Sequence, residues 1–461
     1  MKKEIVRFID LFAGLGGTRI GLEQALVENG AIPECVFTSE IKKHAIDAYS
    51  DNFNDDHNIS GDIVEIPSDD IPDFDIMLAG FPCQPFSSAG NRKGFLDTRG
   101  TLFFQIERIL KDKSPSAFLL ENVEGLVEHD RENNGDKIGK TLQTILNKLE
   151  SLGYKVSWSV LNAADFGIPQ NRKRVYIVGH KNQTVSLSGF CKKDCVLSDV
   201  LESGLPPLKT EFTNTLLSHY RPEELHGKAI KDKRGGKNNI HSWDLEIKGK
   251  TSESQRELLS TLLKERRKKH WAISKGMTWM DGMPLTVDEI KTFYKTDNLF
   301  ENNNLKNMLD DLAAKGYVTF EHPKDLVEET DKNGKVYKVR KPAIHIPKGY
   351  NIVVGKLSFE ITKILDPKDV TPTLVATDVT RLAVTDGKNL RRLSIREGLR
   401  LFGYPDHYIL DGVSYQESFD LLGNTVVVPV IKEIAKRIIA GLCLYDVYSS
   451  EQPRQATLQI A

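Results

Sequence analysis

A cysteine and several charged side chains stand where predicted strands end, positions from which proteins often do chemistry. Cys83 lies in the sequence Gly-Phe-Pro-Cys-Gln-Pro-Phe-Ser (80–87), directly after the apolar run 76–79. Prolines on either side of the Cys-Gln pair have fixed φ angles, so we expect an exposed thiol on a stiff turn. Most free cysteines are small buried hydrophobic residues, so the thiol by itself is only a candidate nucleophile.

An acid and two arginines occupy comparable places. Glu121 follows the apolar run 117–120, which puts a carboxyl group at the carboxyl end of a strand, where open α/β sheets bind ligands. Arg172 and Arg174 are two positions apart, and alternate residues of a strand face the same way. Both guanidinium groups could therefore face one anion or base, although arginines in this pattern often only solvate the edge of a sheet.

A glycine-rich turn, Asp-Leu-Phe-Ala-Gly-Leu-Gly-Gly (10–17), joins the first predicted strand to a helix. Glycines let the backbone approach a ligand, and the free N–H groups of the helix can bind polar atoms. Glu40 ends the second predicted strand, where this class of fold holds a ribose diol, and Asp62 follows the next β-like stretch. Either acid alone could be a solvated surface group, but with the turn they favour a ligand that carries a ribose.

Strands and helices must position these residues. Short β-rich runs alternate with helical stretches from residue 5 to about 180, as in a doubly wound sheet. The predicted strands are 6–11, 34–39, 76–79, 117–120, 154–161 and 174–179. The predicted helices are 17–29, 42–52, 101–111, 139–151 and, far along the chain, 426–442.

The composition excludes several classes of protein. With 461 residues the chain is long enough for two or three domains. Its 63 basic and 64 acidic side chains leave a formal net charge of −1, so any nucleic-acid surface requires local clustering of basic residues. No apolar stretch suits a signal peptide or a membrane span, and we expect a cytoplasmic protein with no membrane partner.

The five cysteines predict neither a disulfide framework nor a metal site. They are few and odd in number, which suits a reducing compartment. Cys191 and Cys195 could form half of a metal site, but no second pair of cysteines or closely spaced histidines completes four ligands. We expect no bound metal.

Taken together, the motifs resemble those of the DNA cytosine-5 methyltransferases, in the usual order of that family. The resemblance covers about 1–180 and 388–442. Ile41 departs from the pattern, because an aromatic residue is common there and its loss could weaken packing on the adenine of the cofactor; Ile395 replaces a common proline. The segments that carry the resemblance are Asp10 to Gly17, Glu40, Gly61 to Ile63, Gly80 to Ser87, Arg99 to Phe103, Glu121 to Val123, Gln170 to Arg174, Arg391 to Glu397 and Gly423 to Val426.

This resemblance implies a Rossmann-like methyltransferase domain, dependent on S-adenosylmethionine and built on a doubly wound mixed sheet, with a second, smaller target-recognition domain. The catalytic domain would be discontinuous, with 1–184 as its first part and 388–461 as a return segment, because the family brings 423–426 back beside the first strand. The recognition domain would then comprise 185–387.

The resemblance also implies the reaction. A thiolate at Cys83 would add to C6 of cytosine, which makes C5 nucleophilic enough to take a methyl group from S-adenosylmethionine. Glu121 would bind or protonate N3 of the base. Arg172 and Arg174 would orient the base and favour the thiolate.

On the cofactor side, the family pattern assigns the ribose hydroxyl groups to Glu40 and the adenine amino group to Asp62. The residues implied to bind the cofactor are Phe12, Gly14, Leu15, Gly17, Glu40, Asp62, Ile63, Pro82 and Asn424.

On the DNA side, the target base would have to be flipped out of the duplex. The segment 86–99 resembles the mobile loop that closes on the flipped base, with DNA contacts implied for Ser87 and Arg99.

Two features of the middle region suit DNA contact. The run Lys-Glu-Arg-Arg-Lys-Lys-His-Trp (264–271) predicts phosphate contacts from Arg266, Arg267, Lys268 and Lys269, unless it is only a solvated helix face. Further on, two helical stretches and a strand near 281–322 resemble a winged-helix unit, or equally an ordinary helix-and-hairpin fragment.

Three functions remain open at this point. The first is methylation of double-stranded DNA by a monomer that could accompany an independently acting restriction endonuclease. The second is RNA methylation by the same chemistry, against which the long middle region counts, because the transfer-RNA branch of the family usually has a short one. The third is a DNA-binding regulator without activity, against which the intact Cys83, Glu121 and Arg172 argue.

Overall fold

The computed structural model describes residues 4–82, 101–131, 136–232, 238–278, 282–295, 302–330, 336–354 and 359–442. The chain divides into two compact units. Unit 1 comprises residues 1–203, 366–380 and 393–461, and unit 2 comprises 204–365 and 381–392. No helix within the described ranges is long and apolar enough to cross a membrane.

The strands and helices are numbered in chain order. The strands are β1 (Ile5–Leu11), β2 (Ile32–Ser39), β3 (Ile76–Gly80), β4 (Ala117–Val123), β5 (Lys155–Asn162), β6 (Gln170–Asn171), β7 (Lys173–His180), β8 (Ala229–Ile230), β9 (Asn239–Ile240), β10 (Val318–Glu321), β11 (Lys324–Thr330), β12 (Val336–Pro342), β13 (Gly349–Ile352), β14 (Lys363–Ile364), β15 (Thr371–Pro372), β16 (Leu382–Asp386) and β17 (Asn389–Arg391). The helices are α1 (Gly17–Glu28), α2 (Lys43–Asn52), α3 (Thr101–Lys113), α4 (Lys140–Ser151), α5 (Glu211–His219), α6 (Glu253–Glu265), α7 (Lys269–Ser274), α8 (Val287–Lys291), α9 (Asn302–Ala314), α10 (Ala376–Val379), α11 (Ile395–Arg400), α12 (Tyr415–Asn424) and α13 (Val428–Ile439).

A six-stranded mixed sheet organises unit 1, in the order β2-β1-β3-β4-β7-β5. The strands β1 to β4 are parallel, whereas β7 runs antiparallel to both β4 and β5. Ile76 to Ala79 of β3 are all buried, as expected for a central strand covered on both faces. The predicted α/β fold with a mixed sheet is confirmed.

The return segment packs onto this sheet domain through α13, which lies against α1. A Cβ atom at Gly21 would lie 2.6 Å from the Cβ of Ile431, so the missing side chain lets the two helices approach closely. The predicted helix 426–442 is Val428–Ile439, with Pro429 in its first turn, where a missing N–H costs no hydrogen bond.

Unit 2 contains two apolar clusters. One gathers side chains of α6 to α9 around Trp243, Leu259 and Leu309, and the other lies beside the five-stranded sheet β17-β16-β14-β8-β9. Within the region near 281–322, α8, α9 and β10 follow one another, and β10 pairs antiparallel with β13. Whether this is a winged-helix unit stays a prediction.

The unit borders differ from the domain borders expected from the sequence. Residues 185–203 and 366–380, expected in the recognition domain, belong to unit 1, whereas 388–392, expected in the return segment, belong to unit 2. The first two stretches bond to each other and to the sheet domain: Leu197 donates to Asp369, and β15 pairs with β6. Backbone pairing of this kind leaves no signal in residue composition.

Candidate active site

Several of the predicted site residues meet at the carboxyl edge of the central sheet. Glu40 directly follows β2, the glycine turn follows β1, and Gly80 at the end of β3 pairs in register with Glu121 of β4. A Cβ atom at Gly80 would lie 4.0 Å from Glu121 Oε2 and 3.9 Å from Val426 of the return segment. The structure thus brings the candidate acid, the end of the strand before Cys83 and the return segment together.

Glu121 is a buried carboxyl group beside an arginine. Its Oε1 lies 3.2 Å from Nε of Arg174 but makes no hydrogen bond of good geometry among the described residues. Burial raises the pKa of Glu121, and the charges of Arg174 and Arg172 only partly oppose that shift. A carboxyl group that holds its proton more readily than usual can donate a hydrogen bond to a ring nitrogen.

Arg172 is held by the return segment. Its Nη2 donates to the carbonyl oxygens of Gly423 (3.1 Å) and Thr425 (2.7 Å), and the guanidinium lies over the Phe402 ring, 5.0 Å from its centroid. Within the described chain, its Nε and Nη1 have no hydrogen-bond partner. Burial lowers the pKa of Arg172 to about 9, so the group remains charged at neutral pH.

Arg174 borders an open cleft of about 430 Å³. Its Nη1 donates to the Lys173 carbonyl oxygen while its Nε approaches Glu121. The cleft is lined by Val123, Glu124, Gly125, Asn171, Lys173, Arg174 and Thr373. A cleft of this size beside a buried acid and two cations can admit a planar polar ring.

The glycine turn and Glu40 form a second cluster of predicted site residues. Glu40 Oε2 accepts a hydrogen bond from the Gly14 N–H (2.8 Å), and Oε1 accepts from the N–H groups of Ile41 and Lys42. Gly14 has φ of +53°, and a Cβ there would meet nothing closer than 4.0 Å, so the turn borders free space. Phe12, half-buried, also has positive φ (57°), a strained conformation for a side chain of this size.

Asp10 begins the glycine motif, and the sequence assigns it no role, but its surroundings single it out. It is fully buried; Oδ1 accepts a hydrogen bond from the Thr18 hydroxyl (2.7 Å), whereas Oδ2 has no partner among the residues described. Burial raises the pKa of Asp10 to about 7. A buried acceptor without a partner beside an open turn fits a ligand that brings N–H donors.

The remaining residues predicted to bind the cofactor differ in their exposure to solvent. Asp62, Pro82 and Asn424 are exposed, with Asp62 Oδ1 accepting from the Val64 N–H and Asn424 Nδ2 donating to Asp420. Leu15 and Ile63 are buried side chains, 0% and 1% exposed. Their roles in cofactor binding stay predictions.

Gly17 is a packing position against the return segment. A Cβ atom there would lie 2.7 Å from the Tyr404 hydroxyl and 2.9 Å from Val426. Its role in cofactor binding stays a prediction. Cys83, Ser87 and Arg99 lie outside the described residues.

The basic run 264–271 does not form one helix face. It spans the turn between α6 and α7, where Lys268 and Lys269 are exposed and Arg267 is half-buried. Arg266 is only 4% exposed and its Nη1 bonds Asn351 Oδ1 at 2.5 Å. The expectation that Arg266 contacts DNA phosphate is therefore wrong for this structure, because the side chain is engaged inside unit 2.

One group in the described chain has the side chains and spacing of metal ligands: Cys35, Asp55 and His57. Both carboxylate oxygens of Asp55 already bond the buried Arg19, at 2.5 and 2.7 Å. Burial raises the pKa of the Cys35 thiol to about 12. The Asp55 carboxylate is thus engaged in a buried ion pair, and we assign no metal to this cluster.

Comparison with known proteins agrees with this geometry. The family model described as C-5 cytosine-specific DNA methylase matches residues 6–440. This chain belongs to that family. It is 55% identical over 437 residues to the Type II methyltransferase M.NlaIV of Neisseria lactamica, covering 95% of this chain and 99% of the relative. It is 54% identical to M.NgoBV of Neisseria gonorrhoeae over the same length and coverage.

A more distant relative extends over a similar length. M.BanI of Aneurinibacillus aneurinilyticus is 40% identical over 457 residues, covering 93% of this chain and 94% of the relative. The chain is thus a DNA cytosine-5 methyltransferase, and its methyl donor is S-adenosylmethionine. The open glycine turn, the Glu40 carboxylate and the partnerless Asp10 oxygen fit a donor that carries a ribose and an amino group.

Asp10→Asn should flatten the dependence of stability on pH between about 4 and 7. Folding raises the pKa of Asp10 from 3.8 to about 7, so in this window the native state binds more protons than the unfolded state. The free energy of unfolding therefore falls as pH rises, by up to about 1.4 kcal/mol per pH unit from this group. Asparagine has no such proton and keeps an acceptor for Thr18.

Urea unfolding of both proteins across this window measures the effect. Asp69→Asn, at an exposed acid, is the control and should leave the curve parallel to that of the wild type. Parallel curves for Asp10→Asn and the wild type would contradict the assignment.

Proposed function

We propose that the chain methylates C5 of cytosine within a specific sequence of double-stranded DNA, through covalent addition of Cys83 to C6 of a flipped-out base. The observation that carries the proposal is the pairing of Gly80 with Glu121 at one edge of the sheet, beside Arg174. Cys83 follows Gly80 by three positions, a chain length that spans at most about 11 Å. That chain length allows the thiol to reach the neighbourhood of the acid.

The charges of this neighbourhood suit the addition step. As the Cys83 thiolate forms a bond to C6, electron density moves toward N3 and the exocyclic carbonyl of the ring. A protonated Glu121 would donate to N3, and the raised pKa of this carboxyl keeps its proton available. Arg172 and Arg174 supply positive charge that favours the thiolate and the electron-rich ring.

The remaining bonds balance through the donor and a base. C5 would take the methyl group of bound S-adenosylmethionine with the electron pair made available by addition at C6, and S-adenosylhomocysteine would leave with the electrons of the broken sulfur–methyl bond. A water molecule would then take the proton from C5. The electrons of that C–H bond would re-form the C5–C6 double bond, and the Cys83 thiolate would leave C6 with the electrons of the sulfur–carbon bond. Because C5 and C6 are stacked inside a duplex, the base must leave the helix first.

We propose that unit 2 reads the DNA sequence and that its exposed basic side chains contact phosphates. Relatives called Type II methyltransferases align over nearly the whole chain, which supports double-stranded DNA over RNA as substrate. Type II naming also supports a role in restriction and modification, beside an endonuclease that acts independently. We further propose that the enzyme works as a monomer in the cytoplasm.

Cys83→Ala should abolish methyl transfer while leaving cofactor binding near that of the wild type, because the thiol acts only as the attacking atom. The wild type should also form a stable covalent adduct with duplex DNA that carries 5-fluorocytosine at the target site, since fluorine blocks elimination. Transfer of tritiated methyl groups and denaturing gels measure the two effects, with transfer RNA as a parallel substrate.

The matched control is Cys191→Ala, which removes an exposed thiol of unit 1 and should keep both activity and adduct. Methylation by the Cys83 variant would overturn the covalent mechanism. Methylation of transfer RNA in preference to DNA would overturn the substrate.

Glu40→Gln should weaken binding of S-adenosylmethionine by about 1–3 kcal/mol, because a carboxylate that organises the turn and accepts from the ribose is removed. Asp62→Ala should weaken it by a similar amount, because the adenine amino group then has no acceptor. Titration calorimetry measures both, and Glu65→Gln, at an exposed acid nearby, is the control. Unchanged affinity in both variants would move the cofactor site elsewhere.

Replacing Arg267, Lys268 and Lys269 together by glutamine should weaken binding to every duplex alike. The slope of log affinity against log salt concentration should become shallower by up to about 3, at roughly 0.9 for each phosphate that is no longer neutralised. Fluorescence anisotropy at several salt concentrations measures the slope. Glutamines at Lys111, Lys155 and Lys192, exposed in unit 1, match the charge change and should leave the slope unchanged.

The variant with Arg267, Lys268 and Lys269 replaced should still methylate the same DNA sequence, because phosphate contacts carry no information about the bases. Exchange of 204–365 and 381–392 for the matching unit of a relative with another target should instead change which cytosine is methylated. Methylome sequencing separates the outcomes. An active chimera that kept the original target would contradict the recognition role of unit 2.

A further inference from the structure

Two tyrosines of the return segment contact the backbone of the glycine turn. Their rings pack edge to face, with centroids 4.7 Å apart. The Tyr408 hydroxyl donates to the Leu15 carbonyl oxygen at 2.8 Å. The Tyr404 hydroxyl lies against Gly17, where a Cβ atom would come within 2.7 Å of it. Each tyrosine therefore contacts a different residue of the turn that borders the cofactor site.

Tyr404, unlike Tyr408, also contacts a residue that binds Arg172. Its hydroxyl oxygen lies 2.5 Å from Thr425 Oγ1, and the carbonyl oxygen of the same Thr425 accepts from Arg172 Nη2 at 2.7 Å. One packing contact and two hydrogen bonds thus join Gly17 of the turn to the guanidinium of Arg172. All of these residues lie within unit 1.

Burial makes this connection stiff. Tyr404, Thr425 and Arg172 are 4%, 6% and 3% exposed. Water cannot replace a hydrogen bond that is broken inside such a network, so a displaced hydroxyl leaves a buried polar group without a partner. Movement of the turn would therefore strain the contacts of Tyr404 and Thr425, and through them the position of Arg172.

A phenylalanine at position 404 would fill the space of the Tyr404 ring. It would, however, remove the oxygen that lies against Gly17 and bonds the Thr425 hydroxyl. The phenol oxygen therefore contacts the turn and Thr425 at once.

We propose that Tyr404 is a positioning residue that couples occupation of the cofactor site to the placement of Arg172, so that cofactor and target DNA bind cooperatively. The inference rests on the proposed role of Arg172 in holding the target cytosine. A ligand at the turn holds Gly17 in one position, Tyr404 and Thr425 transmit that position, and Arg172 is ordered before the base arrives. The coupling is reciprocal, so target DNA should strengthen cofactor binding by the same factor.

The test is the ratio of DNA dissociation constants without and with saturating S-adenosylhomocysteine, which occupies the site but cannot donate a methyl group. The DNA probe is a duplex containing the site that methylome sequencing identifies. The wild type should give a ratio in the range of about 5 to 150 that is typical of coupled sites. Tyr404→Phe should reduce it to below about 2 while the protein still binds each ligand.

Three further variants separate coupling from general loosening. Tyr408→Phe removes a buried hydroxyl from the same aromatic pair and the same turn, but not from Thr425, and should keep the wild-type ratio. Thr425→Val should lower the ratio as Tyr404→Phe does, and it replaces that variant should the latter fail to fold. Thr425→Ser keeps the hydroxyl and should restore it.

An unchanged ratio in Tyr404→Phe and Thr425→Val would overturn the proposal, and so would an equal decrease in Tyr408→Phe. A wild-type ratio of one would also overturn it. Failure of the proposed function is recognised separately, because it appears as absence of the covalent adduct with 5-fluorocytosine DNA in the wild type. An enzyme that forms the adduct but does not respond at Tyr404 retains its function and lacks this coupling.

Discussion

A buried arginine imposes the main constraint on unit 1. A guanidinium only 3% exposed must be compensated inside the protein, and the compensation for Arg172 comes from two carbonyl oxygens and an aromatic face of the return segment. A chain ending before residue 393 would leave this cation without those partners. Unit 1 is discontinuous in sequence, and residues from its last segment supply the partners of a buried cation in its first.

The same constraint reaches the cofactor turn through close packing. Gly21 lets α1 contact α13, and Gly17 leaves room for Tyr404 and Val426, so the turn rests on the return segment. A side chain at Gly17 would collide with the group that also contacts Thr425. Glycines usually assigned to ligand approach therefore act here, in part, to let two distant stretches of chain meet. This is why a motif near the start of the chain and one near residue 425 occur together.

Sequence predicted the six strands of the central sheet to within a few residues, and likewise α1 to α4 and α13, because each is a local apolar pattern. It did not predict α10, α11, α12 or the short strands β6 and β15. It placed Glu121, Arg172 and Arg174 near strand ends, as the structure has them. It missed what depends on distant partners: the burial of Arg266 against Asn351, the return of 366–380 to β6, and the hydroxyls of Tyr404 and Thr425. Residues in a run of charges are exposed on average. The run does not show that one of them, Arg266, bonds the buried side chain of Asn351. For Asp10 the sequence does carry a signal, since an acid that ends an apolar strand resembles Glu121 in its placement.

Burial at the carboxyl edge of the sheet shifts the pKa values of an acid and of a base in opposite directions. Burial raises the pKa of Glu121 and lowers that of Arg172 to about 9, since it penalises whichever form is charged. The acid is thereby moved toward its neutral form, whereas the arginine, with a pKa of about 9, stays ionised at neutral pH. A neutral Glu121 would leave the charges of Arg172 and Arg174 uncompensated at this edge of the sheet. In the proposed mechanism, that positive charge favours a thiolate over a thiol and a negatively charged ring over a neutral one.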